Sequence, residues 1–509
     1  MLYHNKILNA LVKLSHKDPS FVILDTGRLS ISASALLSKS NILASALVRK
    51  NFKEGDIALL AIRPGINFLV VFYALLMLRA KIAIIDPEMG RDNYFSRMQQ
   101  LSPKWLFAES KLLLISRNRI LRMIIYFFKK NIPRLYLQTG MNVVSIRGRS
   151  FSSEQLSLAS LTATKESLPL IENNDDYECL IVYTSGTLGT PKGVVHSVNS
   201  LTESLYKLEE LLRIKDGNIL GTHLPHFMLL GIASGYSLKL LNPRASQKKR
   251  LIELEEKNIN AYFGTPTEIQ ELVVYCEKYR KTFPKSLRQL FIGSAPVYSS
   301  FLSRLIPVLN THTEVICFYG MTEHLITATI TGIEKLKYLG EGDIVGKIVS
   351  GVNVNIAPDD EIVVGSPQLF SRYFHEVTGN KMHASGDLGT INPKGELVLL
   401  GRKKDMIIRK DFNIYPALYE DTIRKIPGVR DVALCGIFNE KLQDEKVFLV
   451  WEGEKVTNKQ IKKKLLSGLY SIDKSALPDV IIQMDLPRTG RHQKIDRKLL
   501  REQLKTKKH

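Results

Sequence analysis

The chain has 509 residues, of which 44% are hydrophobic and 24% are charged. This length exceeds one ordinary hydrophobic core, and the composition is that of a soluble globular protein with two or more domains. The formal net charge of +21 would suit nucleic acid, an anionic membrane or polyanionic small molecules, but no nucleic-acid-binding motif accompanies it. We therefore expect no nucleic-acid partner, and a solvated basic surface also explains the charge.

The cysteines and the apolar runs exclude further classes of protein. The four cysteines are scattered and form no Cys-x-x-Cys pair, so the sequence suggests neither a zinc site nor a disulfide framework. The N-terminus lacks the layout of a signal peptide, and the longest purely apolar run, Phe68 to Leu78, is too short to span a bilayer. We expect a cytoplasmic protein.

The first part of the chain predicts an α/β fold. Residues 1–50 indicate helices with a hairpin near Asp25-Thr26-Gly27. Ile57 to Ile62 predicts a strand, Asn67 to Leu78 a buried helix, and Ile82 to Ile85 a second strand. This βαβ order predicts a parallel sheet covered by helices.

Residues 111–137 combine apolar and basic residues in blocks. A basic amphipathic helix of this kind can lie on an anionic bilayer, and the protein would then be associated with the membrane. An internal helix whose arginines reach solvent explains the same pattern. Peripheral membrane contact through 111–137 is therefore one of two open interpretations.

A polar, glycine-rich loop follows a short apolar run that predicts a buried strand at 180–183. Glycines let a backbone approach a ligand, and hydroxyls and a lysine add donors, so the loop suits a polyphosphate. It is not a Walker A loop, because Pro191-Lys192-Gly193 stands where that motif needs Gly-Lys-Ser/Thr. The loop consists of Thr184, Ser185, Gly186, Thr187, Leu188, Gly189, Thr190, Pro191, Lys192 and Gly193.

A helix is predicted after this loop. Ser200 and Glu203 have the spacing of a capping box, which predicts a helix that begins there. One face of this helix is apolar, which predicts that it packs into the core, and that face consists of Leu201, Leu205, Leu208 and Leu212.

Further short motifs follow in order. Gly293-Ser294-Ala295-Pro296 indicates a tight turn after a strand. Phe318 to Glu323 combines an aromatic, a glycine, a hydroxyl and a carboxylate, which can stack on a base, admit a ligand, bind a phosphate and hold Mg²⁺. Ser385 to Gly389, Gly401 to Ile408 and Leu486 to Arg497 complete the series.

These motifs resemble those of the adenylate-forming superfamily: acyl-CoA synthetases, luciferases and the adenylation domains of peptide synthetases. Residues 184–193 resemble Thr-Ser-Gly-Thr/Ser-Thr-Gly-x-Pro-Lys-Gly, and 319–323 match Tyr-Gly-x-Thr-Glu. Residues 385–389 resemble Thr/Ser-Gly-Asp-Leu-Gly, 401–407 resemble Gly-Arg-x-Lys-Asp-x-Ile, and 486–497 resemble Leu-Pro-Arg/Lys-Thr-x-x-Gly-Lys-Ile-x-Arg. The likeness to AMP-dependent acyl-CoA synthetases covers nearly the whole chain.

The resemblance implies a division of the chain into two domains. A large N-terminal domain of parallel and mixed sheets with helices, at 1–402, would bind AMP and the acyl substrate. A small, mobile α+β lid domain, at 404–509, would carry the adenylation lysine. Lys404 would be the hinge between them.

The resemblance also implies a role for each matched residue. Lys494 would drive adenylation with Thr184 and Glu323, and the last two would hold Mg²⁺. Tyr319 would stack on adenine, and Asp387 would accept hydrogen bonds from the ribose hydroxyls. ATP and AMP would be bound by Thr184, Ser185, Gly186, Thr187, Gly189, Lys192, Gly293, Ser294, Ala295, Pro296, Tyr319, Gly320, Thr322, Asp387 and Arg402.

The residues implied for the acyl and thiol channels are His226, Met228 and Asp411. In the family a Pro-x-Phe-His-x-x-Gly segment lines the acyl pocket, and Gly221 to Gly231 corresponds to it. Met228 holds the position of the family's histidine, and an apolar residue there suits an aliphatic acyl group. His226 has a second explanation as a structural residue at a strand end.

The implied reaction joins a carboxylic acid, expected to be a fatty acid, to a thiol. A carboxylate oxygen would attack the α-phosphate of Mg-ATP, which gives acyl-AMP and pyrophosphate. The lid would then swing about Lys404, and a thiol, with coenzyme A as the expected co-substrate, would displace AMP.

Three further positions depart from the family pattern. Leu188 replaces a hydroxyl residue, Asp411 replaces a glycine of the loop that lines the pantetheine tunnel, and Gln493 replaces the glycine before Lys494. Two alternatives therefore stay open. The chain could be an adenylating enzyme with another acceptor, either an acyl-AMP ligase serving an acyl carrier protein or a β-lactone synthetase-like enzyme. It could also be a decayed nucleotide-binding relative.

Overall fold

A computed structural model describes residues 2–85, 91–121, 123, 140–148, 156–164, 166–183, 192–212, 218–233, 235–377, 381–409, 412–439, 444–467, 470, 472, 476–489 and 494–506. The chain divides into two compact units. Unit 1 comprises Met1–Phe263, Thr322–Leu325 and Pro367–Lys381. Unit 2 comprises Gly264–Met321, Ile326–Ser366 and Met382–His509. Over the described ranges, no helix is both long and apolar enough to cross a membrane.

The helices are α1 (Lys6–Lys17), α2 (Ala33–Arg49), α3 (Ile66–Met77), α4 (Arg91–Leu101), α5 (Ser110–Arg117), α6 (Leu158–Leu161), α7 (Val198–Leu211), α8 (Pro225–Ala233), α9 (Gln247–Glu256), α10 (Pro266–Tyr279), α11 (Ser299–Leu305), α12 (Gly332–Lys337), α13 (Pro416–Arg424), α14 (Asn458–Leu466) and α15 (Arg497–Thr506). Short 3₁₀ turns lie at Ile306–Val308 and Lys403–Asp405.

The strands up to residue 319 are β1 (Leu2–His4), β2 (Val22–Asp25), β3 (Ser30–Ser32), β4 (Ile57–Ala61), β5 (Lys81–Ile84), β6 (Trp105–Glu109), β7 (Asn142–Ile146), β8 (Leu156–Ser157), β9 (Leu170–Glu172), β10 (Glu178–Tyr183), β11 (Gly193–Ser197), β12 (Ile219–Thr222), β13 (Ser237–Leu240), β14 (Ala261–Gly264), β15 (Gln289–Ile292) and β16 (Glu314–Tyr319).

The later strands are β17 (Ala328–Thr331), β18 (Asp343–Ile348), β19 (Asn353–Ile356), β20 (Glu361–Gly365), β21 (Arg372–Tyr373), β22 (His383–Ile391), β23 (Glu396–Arg402), β24 (Ile407–Arg409), β25 (Phe412–Ile414), β26 (Val429–Asn439), β27 (Asp444–Gly453), β28 (Val480–Gln483), β29 (Arg488–Thr489) and β30 (Lys494–Ile495).

The predicted βαβ unit is present in unit 1. β4 and β5 are parallel, with Leu59 opposite Ala83, and α3 connects them. Every side chain from Phe68 to Met77 is buried, because this helix is apolar on all sides. The sheet that contains β4 and β5 has the strand order β21, β11, β10, β5, β4, β6, β7, β8. The apolar run therefore belongs to the core of unit 1.

A second set of strands in unit 1 runs in the order β14, β12, β13, β2, β3. β2 and β3 form the predicted hairpin, in which the Thr26 amide donates to the Leu29 carbonyl at 2.9 Å. Gly27 has φ +79°, which a residue without a Cβ adopts readily. The hairpin prediction is confirmed.

The predicted start of the helix after the loop was wrong by three residues. Ser197, not Ser200, is the N-cap of α7, and Ser200 occupies the third helical position. Each serine hydroxyl accepts from the other residue's amide, at 3.2 and 3.0 Å, so two serines complete the capping box. The predicted apolar face is confirmed, because it is buried at Leu201, Leu205, Leu208 and Leu212.

Unit 2 contains a mixed sheet with the strand order β19, β20, β22, β23, β18, β17, β16, β15. β15 and β16 are parallel, with Ile292 opposite Cys317. The carboxyl ends of parallel strands meet at one edge of a sheet, where α/β proteins commonly bind ligands. β22 and β23 are antiparallel, and their register sets Asp387 opposite Arg402.

The last hundred residues of unit 2 have hydrophobic clusters of their own. β26 and β27 are antiparallel, and β28 pairs in parallel with β27. One cluster includes Ile407, Leu434 and Trp451, and another includes Phe448 and Leu500. A lid domain that moves as a unit would need a hydrophobic core of its own. The predicted division into 1–402 and 404–509 stays a prediction.

Candidate active site

Three predicted site residues form a hydrogen-bonded cluster in unit 2. The Tyr319 hydroxyl, at the end of β16, donates to Asp387 Oδ2 at 2.7 Å. Arg402 Nε pairs with Asp387 Oδ1 at 2.6 Å. Tyr319 and Asp387 are buried, whereas half of the Arg402 side chain is exposed. A ligand can therefore reach this cluster at Arg402.

The electrostatics of the cluster keep Tyr319 a donor. Burial raises the pKa of Asp387, and the Arg402 charge and the Tyr319 hydrogen bond oppose that rise. Burial also raises the pKa of Tyr319 well above its usual value, and the Asp387 charge adds to this effect. A carboxylate can accept about four hydrogen bonds. Asp387 can therefore accept further hydrogen bonds beyond these two contacts.

The Gly293 turn lies at the same sheet edge as Tyr319, because β15 and β16 are parallel neighbours. A Cβ added at Gly293 would lie 2.7 Å from the Phe318 ring, so a larger residue would displace that ring. Ser294 has φ +69°, in the left-handed region, and Ala295 and Pro296 complete the turn. Glycine at 293 thus allows the turn to lie beside β16.

Lys494 lies on β30, opposite Thr489 on β29. The residue as a whole is exposed, yet its pKa is lowered by desolvation of its ammonium group and then by the Arg402 and Lys404 charges. Asp387 opposes this shift. The Lys494 charge therefore acts on the same carboxylate that binds Tyr319 and Arg402.

The predicted hinge residue, Lys404, lies in a 3₁₀ turn directly after β23. Its neighbour Asp405 pairs with Arg501 at 3.3 Å and Arg497 at 3.6 Å, both on α15. Arg497 also pairs with buried Glu420 at 2.6 Å. Desolvation lowers the pKa of Lys404. The turn is thus tied to α15 through Asp405, a contact that the motif pattern did not reveal.

A second cluster lies in unit 1, around a residue that the sequence analysis missed. The Tyr373 hydroxyl donates to Glu323 Oε1 at 2.9 Å. Lys192 Nζ lies 4.3 Å from the centroid of the Tyr373 ring, within cation–π range. Lys192 itself is exposed. The structure therefore joins a residue of the glycine-rich loop to the carboxylate of the Tyr-Gly-x-Thr-Glu motif.

His196 is a second residue that the sequence analysis missed. Its Nε2 donates to the Thr322 carbonyl at 2.8 Å, so Nε2 carries the proton. Burial lowers the pKa of His196, which favours the neutral ring. The Phe370 amide donates to the Glu323 carbonyl at 2.9 Å. A histidine in an apolar strand, directly after the loop, was the available signal.

Several predicted site residues lie outside the described residues: Thr184, Ser185, Gly186, Thr187, Gly189 and Asp411. Gly320 follows β16 in unit 2, and Thr322 belongs to unit 1. Met228 is fully buried. His226 lies on α8, not at the end of a strand, because β12 already ends at Thr222. Its alternative explanation as a strand-end residue was therefore wrong.

The donor set around Glu323 fits Mg²⁺. Among the residues that the structure describes, no group of three or more His, Cys, Asp and Glu side chains could hold a metal ion. Mg²⁺ is usually bound by one or two carboxylates together with substrate phosphates and water. Glu323 supplies one such carboxylate, and Tyr373 orients it.

Comparison with known proteins decides the family. The model of the AMP-binding enzyme family matches residues 13–374, well over half of the chain. The chain belongs to the AMP-binding enzyme family. This match confirms the predicted adenylate-forming superfamily and the enzyme class, the AMP-forming acid–thiol ligases.

Relatives of this AMP-binding enzyme act on different acids. It is 25% identical over 490 residues to the 2-succinylbenzoate–CoA ligase of Bacillus cereus (strain Q1), an alignment covering 90% of each chain. It is 23% identical over 454 residues to the mitochondrial medium-chain acyl-CoA ligase of Bos taurus, covering 83% of this chain and 71% of that protein.

A solved structure shares the fold. The o-succinylbenzoate CoA synthetase from Bacillus subtilis, in complex with its acyl-adenylate intermediate, superposes with a TM-score of 0.77 at 19% identity. The superposition covers 97% of both chains. The predicted α/β fold class, with a large sheet-rich region and a smaller C-terminal region, is confirmed.

Proposed function

We propose that this enzyme activates a carboxylic acid of the fatty class as acyl-AMP and then transfers the acyl group to coenzyme A. The products are acyl-CoA, AMP and pyrophosphate. The observation that carries the proposal is the cluster of Tyr319, Asp387 and Arg402, on whose carboxylate the Lys494 charge also acts. A carboxylate for ribose and cations for a phosphate are the groups that an adenylate needs.

The unit 2 residues have the following roles in the first half-reaction. Asp387 accepts the ribose hydroxyls, and Arg402 donates to the same sugar. The substrate carboxylate attacks the α-phosphorus, and the bond from this phosphorus to the bridging oxygen of pyrophosphate breaks. Lys494 donates to the α-phosphate oxygens as charge builds on them, a stabilisation that needs no protein nucleophile. The Gly293 turn lies against the adenine, and Tyr319 offers it the face of its ring.

The unit 1 residues handle the outer phosphates and the metal. Lys192 and the hydroxyls of the 184–187 loop donate to the β- and γ-phosphates, and Glu323 and Thr184 would hold Mg²⁺. Mg²⁺, when bound, neutralises phosphate charge and so helps pyrophosphate to leave. The hydrogen bond that Glu323 accepts from Tyr373 supports this role, because it restricts the carboxylate.

The second half-reaction uses the proposed lid at 404–509. Rotation about Lys404 withdraws Lys494 and brings the segment around Asp411 to the thiol. The thiol loses its proton to water, and its sulfur attacks the acyl carbon. The bond from that carbon to the bridging oxygen breaks, and AMP leaves with this oxygen and the electron pair. A carboxylate at position 411, where the family pattern has glycine, would slow the transfer step rather than adenylation.

The acid is proposed from one buried residue. Met228 replaces a histidine of the family pattern and is fully buried, which favours an aliphatic chain over a polar acid. Measuring the products with and without coenzyme A distinguishes it from an acyl carrier protein as the acceptor. A cytoplasmic location is also only a prediction.

We also propose peripheral contact with an anionic bilayer through the described part of 111–137. Three apolar side chains there are exposed: Leu114 at 42%, Ile120 at 64% and Met123 at 58%. Lys111, Arg117 and Arg119 are exposed beside them. Exposed apolar groups next to cations match the chemistry of an anionic lipid surface, and vesicle sedimentation tests the match.

The experiment measures pyrophosphate release from Mg-ATP with a panel of acids, with and without coenzyme A, and identifies products by mass spectrometry. The proposal predicts acyl-CoA from medium- or long-chain acids. Acyl-AMP without thioester would reject coenzyme A and point to a carrier protein or a lactone-forming acceptor. ATP binding without pyrophosphate release from any acid would contradict the proposed activity.

A further inference from the structure

We propose that Tyr373 is a positioning residue, which holds the Glu323 carboxylate for Mg²⁺ and the Lys192 ammonium for the outer phosphates. This inference rests on the proposed function, because it assigns Tyr373 to the metal and phosphate groups of that site. Tyr373 lies outside the short motifs on which the resemblance in the sequence rests. It contacts one residue from each of two motifs that do.

The hydroxyl of Tyr373 fixes the direction of the Glu323 carboxylate. It donates to Oε1 at 2.9 Å, so one oxygen is occupied by a neutral donor. A metal ligand whose orientation is set by an outer hydrogen bond binds its ion more tightly.

The ring of Tyr373 holds the Lys192 ammonium at a second place on the same side chain. Nζ lies 4.3 Å from the ring centroid. An exposed lysine loses rotamer freedom when it binds a phosphate, and a ring that already restricts the ammonium lowers that entropic cost. Tyr373 thus restricts both the Lys192 ammonium and the Glu323 carboxylate, which would bind the phosphates and the metal of the same MgATP.

The backbone around Tyr373 is anchored on both sides. β21 pairs with β11, which begins directly after Lys192, and the Phe374 amide donates to the Gly193 carbonyl at 2.8 Å. Arg372 Nη2 donates to Glu178 at 2.8 Å, and its Nη1 donates to the carbonyl oxygens of Phe374 and Glu376 at 2.8 and 2.9 Å. The side chain therefore projects from a fixed strand.

The test compares Tyr373→Phe, which removes only the hydroxyl, with Tyr373→Leu, which removes the ring as well. Calorimetry measures ATP binding across a Mg²⁺ titration and without metal. For Tyr373→Phe we expect about tenfold more Mg²⁺ for half-maximal tightening, with metal-free ATP binding unchanged. For Tyr373→Leu we expect the same Mg²⁺ defect and weaker metal-free binding.

Tyr338→Phe is the matched control, because it also removes a donating hydroxyl, in this case from the Glu341 carbonyl at 2.9 Å. It should keep the wild-type Mg²⁺ dependence. A Tyr373→Phe variant with unchanged Mg²⁺ dependence would overturn the inference, even if its melting temperature falls. Wild-type protein that binds MgATP but makes no acyl-AMP would overturn the proposed function alone, and wild-type protein that binds no MgATP would overturn both.

Discussion

Asp387 shows how much of this chemistry depends on single residues. The side chain is buried, which disfavours its charge, and yet it lies between a tyrosine hydroxyl and a guanidinium that favour the charge. Removing one partner of a buried pair costs more than the pair contributes, because the remaining group stays desolvated and unpaired. Because Arg402 is half exposed, the cost of breaking this pair falls on Asp387, which would lose the cation that favours its charge.

The first residue-scale prediction concerns Lys494. Lys494→Ala should lower the rate of acyl-AMP formation by about a hundredfold to a thousandfold, the loss typical when one preorganised donor to a developing charge is removed. ATP binding should persist, because Asp387 and Arg402 are intact. Rapid-quench measurement of acyl-AMP checks the rate, and calorimetry checks the binding.

The pKa of Lys494 also predicts how the rate of adenylation changes with pH. The charged ammonium is the active form and exists below its pKa, and the pKa of Lys494 is lowered. As pH rises, the rate of adenylation should therefore fall at a lower pH than it would if Lys494 had the pKa of an ordinary lysine. Lys498→Ala, an exposed lysine four positions along the chain, should keep the wild-type rate and profile. A native rate in Lys494→Ala would reject the assignment.

At the scale of elements, local patterns predicted the regular structure well. The βαβ unit around α3 and the hairpin at Asp25 lie within a residue or so of their predicted bounds, because burial and turn chemistry are encoded locally. The start of α7 was misplaced because two overlapping capping boxes exist in the sequence. In the structure, Ser197 and Ser200 form the capping box, and Glu203 takes no part in it.

The segment after α5 carries the element-scale prediction. The protein should sediment with vesicles that contain phosphatidylserine and should not sediment with neutral vesicles. Arg119→Ala should weaken this binding about fivefold, because a cation near an anionic surface contributes about 1 kcal/mol. Lys285→Ala, an exposed lysine in unit 2, is the control and should bind as the wild type does. No binding to anionic vesicles would end the proposal.

At the scale of the whole molecule, the motifs indicated the family and the fold, because nucleotide chemistry requires the same residue types in the same order. The contacts of Tyr373 could not be predicted, since it lies 50 positions from Glu323 and pairs through a two-residue strand. His196 was hidden for the same reason, because its partner is a backbone carbonyl 126 positions away.

Few residues of the sequence indicate which acid the enzyme uses and which acceptor receives the acyl group. The relatives match most of the chain in sequence while their names specify different acids, so family membership constrains the reaction more than the substrate. Met228 is the one residue on which the aliphatic proposal depends. The residues that would decide the acceptor include Asp411, which lies outside the described residues.

The central claim is that a carboxylate oxygen attacks the α-phosphate of ATP, and isotope transfer tests it most directly. The enzyme is given a fatty acid labelled with heavy oxygen in its carboxylate, together with Mg-ATP and coenzyme A. Mass spectrometry should find one heavy oxygen atom in AMP and none in pyrophosphate. Heavy oxygen in inorganic phosphate, with ADP as the nucleotide product, would show attack at the γ-phosphate and contradict the account.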